Sequence, residues 1–310
     1  MTLDATVLVL IGGTVAFLTA ASLIGLVLEH RAGGEASPTI RNLNARIRAW
    51  WVMVTIFSVA LLMGRQAVIV LFALLSFMAL REFWTLTPSR RGDHLALFLS
   101  FFVVLPIQYV LLAVDWYGLF AIFIPVYAFL ALPAILTLAA DTAQFLARSA
   151  RVQWGLMLTV YAISHAPALY LLDTGTQPAY LLIYLVIVVQ LSDVFQYVFG
   201  KLFGRHRFSP NISPSKTIEG LVGGGLSAIA VGVALHGLTP FSPLQAAGMS
   251  AAIVIAGFFG GFVLSAVKRD LNAKDWGSLI EGHGGILDRL DSISFSAPIF
   301  FHMVRYWFAA

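Results

Sequence analysis

The 310-residue chain contains no cysteine. A disulfide, a thiolate nucleophile and a Cys-ligated metal are therefore all excluded. Charge is also scarce: charged residues make up 11% of the chain and hydrophobic ones 59%, where a soluble domain carries about 25% charge. Such a chain cannot cover a water-facing surface and must be solvated mainly by lipid. No basic residue precedes the first apolar run, ATVLVLIGGTVAFLTAASLIGLVLEH. That run is longer than a signal-peptide core, so it is expected to stay as a membrane helix. Internal repeats are lacking too, which weighs against a transporter built from inverted halves. The longest loops run to roughly twenty residues, which leaves no room for a soluble domain.

What is present is a series of apolar runs. A membrane span needs about 20 such residues, and ten candidates lie near 5–28, 49–64, 66–81, 94–114, 118–139, 153–172, 178–199, 218–237, 246–267 and 291–308. The second and third are short and suggest a tight hairpin. The fold class expected is an all-α polytopic integral membrane protein. With the N-terminus outside, one side receives loops 29–48, 82–93, 140–152, 200–217 and 268–290. Together with Arg81, these hold seventeen of the nineteen Lys and Arg residues, and only Arg65 and Arg305 fall elsewhere. The positive-inside rule makes this side cytoplasmic and places both termini outside. The same distribution accounts for the net charge of +4, so no nucleic-acid partner is expected. The chain divides into 1–150, holding helices one to five, and 151–310, which carries the cytoplasmic loops 200–217 and 268–290. Gly220 and Gly224, and Gly257 and Gly261, have the four-residue spacing that lets helix backbones approach. They predict a rigid scaffold beneath the second loop.

That loop is the outlier. KRDLNAKDWGSLIEGHGGILDRLD (268–291) gathers nine charged residues in twenty-four. Topology explains Lys268, Arg269, Lys274 and Arg289 but not Asp270, Asp275, Glu281, Asp288 and Asp291. Carboxylates facing one another repel unless a cation bridges them. An oxygen-rich, sulfur-free set suits Mg²⁺, with Mn²⁺ as the alternative, and leaves metal positions for phosphate oxygens. Neighbouring Lys and Arg would then bind the oxygens the metal leaves free. This is equipment for phosphoryl or nucleotidyl transfer, where catalysis is chiefly positioning and charge neutralisation. His283 reads as a backbone-bonded loop residue, a phosphate ligand or a proton carrier. No second histidine lies nearby in sequence, which disfavours zinc.

A second constellation spans 192–220, SDVFQYVFGKLFGRHRFSPNISPSKTIEG. Asp193 lies within an apolar run, where a carboxylate is a functional candidate. Lys201, Arg205, Arg207 and Lys216 follow, then Ser213, Ser215 and Thr217 at the start of the next run. Hydroxyls and free N–H groups at a helix start make an anion site. SKT resembles the end of a P-loop, but the upstream glycine and the preceding strand are missing.

The stretch from Ser265 to Asp291 resembles the signature of the phosphatidate cytidylyltransferase family, also called CDP-diacylglycerol synthases. Ser265, Lys268, Arg269, Lys274, Asp275, Gly277, His283, Gly284, Gly285, Asp288, Arg289 and Asp291 all fit its pattern. Glu281 departs, standing where the family has Pro, Gly or Ser. The earlier block is also similar: Ser213, Pro214, Lys216, Thr217, Glu219 and Gly220 match, and Asp193 with Tyr197 matches more loosely. ALREF (79–83) looks like the family's too and gives Glu82 a place near the cytoplasmic face.

The resemblance implies that CTP and phosphatidate, or a related lipid phosphate, yield CDP-diacylglycerol and pyrophosphate at the cytoplasmic face of a bacterial inner membrane. It implies Mg²⁺ on Asp275 and Asp288 with Asp193 or Asp291, and leaves open a second, monovalent cation and a homodimer. Lys268, Arg269, Lys274 and Arg289 would screen the reacting charges together with His283. Arg205, Arg207, Ser213, Ser215, Lys216, Thr217 and Glu219 would form the substrate cradle. Two rivals remain at this point. A transporter or channel explains Asp193 but not a phosphate-type loop, and a CDP-alcohol phosphotransferase has a helix motif that is absent here.

Overall fold

A computed structural model describes residues 5–31, 38–279 and 284–309. Within them, each of the ten apolar runs is met by a helix. These are α1 (Ala5–Arg31), α2 (Pro38–Met63), α3 (Arg65–Leu86), α4 (Arg91–Ala113), α5 (Tyr117–Thr137), α6 (145–171), α7 (Pro178–Phe203), α8 (Ile218–Ala234), α9 (Pro243–Asp270) and α10 (Leu287–Phe308). Seven helices are long and apolar enough to cross a membrane: α1, α3, α4, α5, α7, α9 and, from Leu43, α2. Of the others, α8 has 17 residues, and α6 and α10 carry charge near their ends. Many large apolar side chains point outward, among them Phe17, Leu130, Leu244 and Trp307. An outer surface of that kind is stable against lipid, not against water. The protein is a polytopic, α-helical integral membrane protein.

The hairpin expected from the second and third runs is present, but both of its arms are full length, 26 and 22 residues. Gly64, at φ +92°, makes the turn between them. The apolar run under-reads α2 because its first turns carry Arg41, Arg46 and Arg48, charges that a helix tolerates near a membrane interface.

The middle three helices are not regular. Wide turns occur at Ser100–Val104, Phe123–Ala128 and Met157–Tyr161. Pro106 and Pro125, which lack an N–H to donate, sit beside the first and inside the second. In the third, the Thr159 hydroxyl donates to the Gly155 carbonyl at 2.7 Å and competes with the helix ladder.

One local departure from an all-helical chain lies in the 200–217 loop. Strands β1 (Arg207–Ser209) and β2 (Ser213–Thr217) pair antiparallel, with Arg207 opposite Thr217 and Ser209 opposite Ser213. Pro210 and Asn211 supply the turn chemistry.

Close packing in the second half follows the glycines. A side chain at Gly224 would run into the α7 backbone at Gln196, and a Cβ at Gly220 would lie 2.7 Å from the Gln196 carbonyl. The first glycine pair therefore docks α8 on α7. Gly257 faces Ser292 and Ser296 of α10, and Gly261 faces Asp291 and Lys216. The second pair thus brings α9 against the carboxylate-bearing start of α10.

Candidate active site

Glu82, near the end of α3, organises the charged loop. Its Oε1 accepts from the Ile286 N–H at 2.9 Å and its Oε2 from the Leu287 N–H at 2.8 Å. These donors lie at the α10 start, where backbone N–H groups have no partner within the helix. A buried carboxylate there also meets the positive end of the helix dipole. Two signature glycines make room for it. A Cβ at Gly277 would lie 2.9 Å from Glu82 Oε1, and one at Gly285 would collide with the carboxylate. Glu82→Gln, which sets an amide donor against one of these N–H groups, is expected to cost about 2–3 kcal/mol. Thermal unfolding in detergent measures it, and an unchanged midpoint would remove Glu82 from this role.

Trp276 holds the loop from the other side. It is 1% exposed and stacks on Phe83, with centroids 5.6 Å apart and planes 24° from parallel. A stacked pair of this kind ties the loop to α3. The sequence reading passed over Trp276. Its signal was available, since a tryptophan within a charged loop needs an apolar surface to cover it.

Asp288 is buried and fully engaged. Its Oδ1 accepts from Lys268 Nζ at 2.6 Å, and its Oδ2 from the Trp276 and Gly285 N–H groups at 2.8 and 2.9 Å. Gly284 sits against it at φ +81°, in the left-handed region that favours glycine. Lys268 and Asp288, expected as separate catalytic groups, thus form one buried ion pair. Asp275, drawn as its metal-binding companion, is exposed beside Gly284, as is its neighbour Lys274. Arg269 is exposed and spans two segments, donating to the Ile212 carbonyl at 3.3 Å and to the Ala273 carbonyl at 3.0 Å. Glu281 and His283 lie outside the described residues.

The other two carboxylates meet elsewhere. Asp193 on α7 and Asp291 on α10 are joined through Ser292. Its hydroxyl donates to Asp193 Oδ1 at 3.2 Å, and its N–H donates to Asp291 Oδ1 at 2.7 Å. Lys216, from β2, reaches the same crevice and donates to the Phe258 carbonyl at 3.1 Å, with its ammonium 4.5 Å from the Phe258 ring centre. Burial pushes the Lys216 pKa below the ordinary lysine value, while Asp193 and Asp291 push it back up. Arg289 stands one turn away on α10, its Nε buried and without a hydrogen-bond partner among the described residues. The four acids grouped by the sequence therefore separate into a braced Asp288, an exposed Asp275 and a facing pair, Asp193 and Asp291. Among the described residues no three His, Asp or Glu converge as a complete metal cage. A two-carboxylate site still fits Mg²⁺, which commonly takes one or two carboxylates and completes its shell with water and substrate phosphates.

The expected cradle also divides. Thr217 caps α8, its hydroxyl accepting from the Gly220 N–H at 3.0 Å. Glu219 braces the preceding turn, taking the Arg205 and His206 N–H groups at 3.1 and 3.2 Å and His206 Nδ1 at 2.6 Å. Both are thus engaged within the protein, while Ser213 is buried in the hairpin. Arg205, Arg207 and Ser215 are exposed.

Paired, partly buried carboxylates, a partly buried lysine and basic loops at one end of a helical membrane bundle define an enzyme class that handles phosphate groups at a membrane surface. The particular family follows from comparison: the cytidylyltransferase family matches residues 44–307, and the chain belongs to it. The uncharacterized protein YnbB of Escherichia coli is 39% identical over 282 residues, covering 90% of each chain. Phosphatidate cytidylyltransferases of Staphylococcus saprophyticus and Staphylococcus aureus are 36% and 35% identical over 133 residues, 42% of this chain and 51% of theirs. The match therefore spans about half the length of those two relatives.

Proposed function

We propose that the protein is a CTP:phosphatidate cytidylyltransferase, forming CDP-diacylglycerol for phospholipid synthesis. The observation that carries this is the Asp193–Ser292–Asp291 crevice with Lys216 beside it, in a chain of the cytidylyltransferase family. A phosphate oxygen of the lipid attacks the α-phosphorus of CTP. The new P–O bond replaces the α–β anhydride bond, and pyrophosphate leaves. The nucleophile is already ionised at neutral pH, so no enzyme thiol or hydroxyl is required. The difficulty is bringing two polyanions together.

Asp193 and Asp291 would hold the divalent ion, Mg²⁺ before Mn²⁺. That ion supplies charge neutralisation and alignment of the CTP phosphates. Lys216 and Arg289 place fixed positive charge beside the reacting phosphates. Arg205, Arg207 and Lys274, exposed on the loops, suit the nucleotide's outer phosphates. Glu82 and the Lys268–Asp288 pair fix the shape of the loop that carries Lys274. Purified protein supplied with CTP, Mg²⁺ and phosphatidate should release pyrophosphate and a CDP-lipid in equal amounts. Absence of both would refute the activity.

The site is assigned to the cytoplasmic face of a bacterial inner membrane, with ten spans and both termini outside, from the one-sided Lys and Arg distribution. Because the chain lacks cysteine, single cysteines report cleanly. Ser278 and Gln177 are exposed at opposite ends of the bundle. Ser278→Cys should react with an impermeant thiol reagent only after the membrane is opened, and Gln177→Cys in intact cells. The reverse pattern would overturn the orientation.

A further inference from the structure

A groove of about 550 Å³ runs between α2, α3, α7 and α10, and its character changes along its length. Arg48, ten residues into α2, and Arg289, near the start of α10, line it toward the end that carries the charged loop. Ala49, Phe57, Leu71 and Ile293 line the apolar remainder. From Ala45 to Phe57 the groove follows α2 for about 18 Å. One leaflet of the hydrocarbon core is about 15 Å deep. A pocket with two guanidiniums toward its charged-loop end and apolar walls about as long as one leaflet is complementary to a single ligand chemistry, a lipid whose head is a phosphate monoester. The Arg289 Nε, buried and without a partner among the described residues, is a donor that such a head group would satisfy.

We propose that this groove seats the phosphatidate, and that Arg48 is a specificity-determining residue that binds its phosphate together with Arg289. This rests on the activity proposed above and extends it to a helix outside the charged loops. The acyl chains lie along α2 and α3, and the phosphate sits between Arg48 and Arg289, within reach of the nucleotide held at the Asp193–Asp291 crevice. A planar guanidinium offers two donors to one phosphate, which favours the doubly charged monoester over the diesters of bulk phospholipids.

The test is steady-state kinetics of the full-length protein in mixed micelles. Arg48→Gln should raise the KM for phosphatidate about tenfold, the loss of one charge-assisted hydrogen bond, and leave the KM for CTP unchanged. Arg48→Lys should fall between. Arg46→Gln, exposed on the same helix and outside the groove, should behave as wild type. Ala49→Phe, which fills the groove, should depress turnover of long-chain phosphatidate more than that of the dioctanoyl form. A CTP KM that rises in Arg48→Gln in place of the lipid KM would assign Arg48 to the nucleotide and overturn the proposal. So would unchanged kinetics in both Arg48→Gln and Ala49→Phe.

Thermal stabilisation by dioctanoyl phosphatidate without CTP separates this proposal from the activity it rests on. Stabilisation of wild type that is lost in Arg48→Gln supports the groove even if no CDP-lipid forms. If wild type makes CDP-lipid and that stabilisation persists undiminished in Arg48→Gln, the groove assignment fails alone. Should Arg48→Gln not purify folded, Arg48→Lys and Ala49→Phe carry the same comparisons.

Discussion

Asp193→Asn and Asp291→Asn, made singly, should each lower kcat roughly a thousandfold, the scale of losing a group that stabilises charge in the transition state. Each should also leave the thermal unfolding midpoint unchanged or raised. The two carboxylates lie in one crevice, joined through Ser292, with Lys216 beside them. Folding such a pair costs desolvation and mutual repulsion. Replacing one by a neutral amide relieves that cost while removing the negative charge a divalent ion needs. A gain in stability paired with a collapse of turnover is the signature of a site kept for chemistry. Activity above about a tenth of wild type at saturating Mg²⁺, roughly 1.4 kcal/mol or less in the barrier, would remove the residue from the metal site.

Asp288→Asn should show the opposite pairing: turnover and stability fall together, the latter by about 3–5 kcal/mol. Its carboxylate neutralises the buried Lys268 and accepts two loop N–H groups. An amide would strand the ammonium and turn one acceptor into a donor. The double variant Asp288→Asn with Lys268→Met should recover part of the lost stability, because it removes the stranded charge, without restoring turnover. A double-mutant cycle on unfolding free energy measures the coupling. A wild-type midpoint in Asp288→Asn would return Asp288 to the list of direct metal ligands.

The contrast between these two results shows what a linear sequence conveys and what it hides. The helices were legible because apolar runs of this length have few alternatives in lipid, and each of the ten runs corresponds to a helix. The full length of α2 was not, since Arg41, Arg46 and Arg48 interrupt the apolar pattern while the helix continues through them. The hairpin at 207–217 was read as loop because strands of three and five residues leave almost no periodic trace. In the site, residue types pointed to phosphate chemistry, and the family pattern placed Asp275, Asp288 and Asp291 side by side in a motif. Position in a motif carries no information about partners. Asp288 faces back into its own loop, whereas Asp291, three residues and about one helical turn later, faces Asp193 from a helix nearly a hundred residues earlier. The Glu82 contacts, and the identity of the surface that covers Trp276, were hidden for the same reason, because the partners lie about two hundred residues apart in the chain.

The Glu82 contacts have a consequence for biogenesis. The carboxylate and the two N–H groups it accepts are 204 and 205 residues apart. Synthesis runs from the N-terminus at about 5–20 residues per second, so Glu82 enters the membrane surface ten seconds or more before its donors exist. Until α10 is made, the nascent protein carries an acid near the lipid boundary with neither loop nor helix to receive it. Completion of the last helix and completion of the charged loop are therefore one event. A chain that stalls or is cut before residue 286 retains a polar defect at the end of the bundle that carries the charged loop, an unreceived acid that separates unfinished molecules from finished ones.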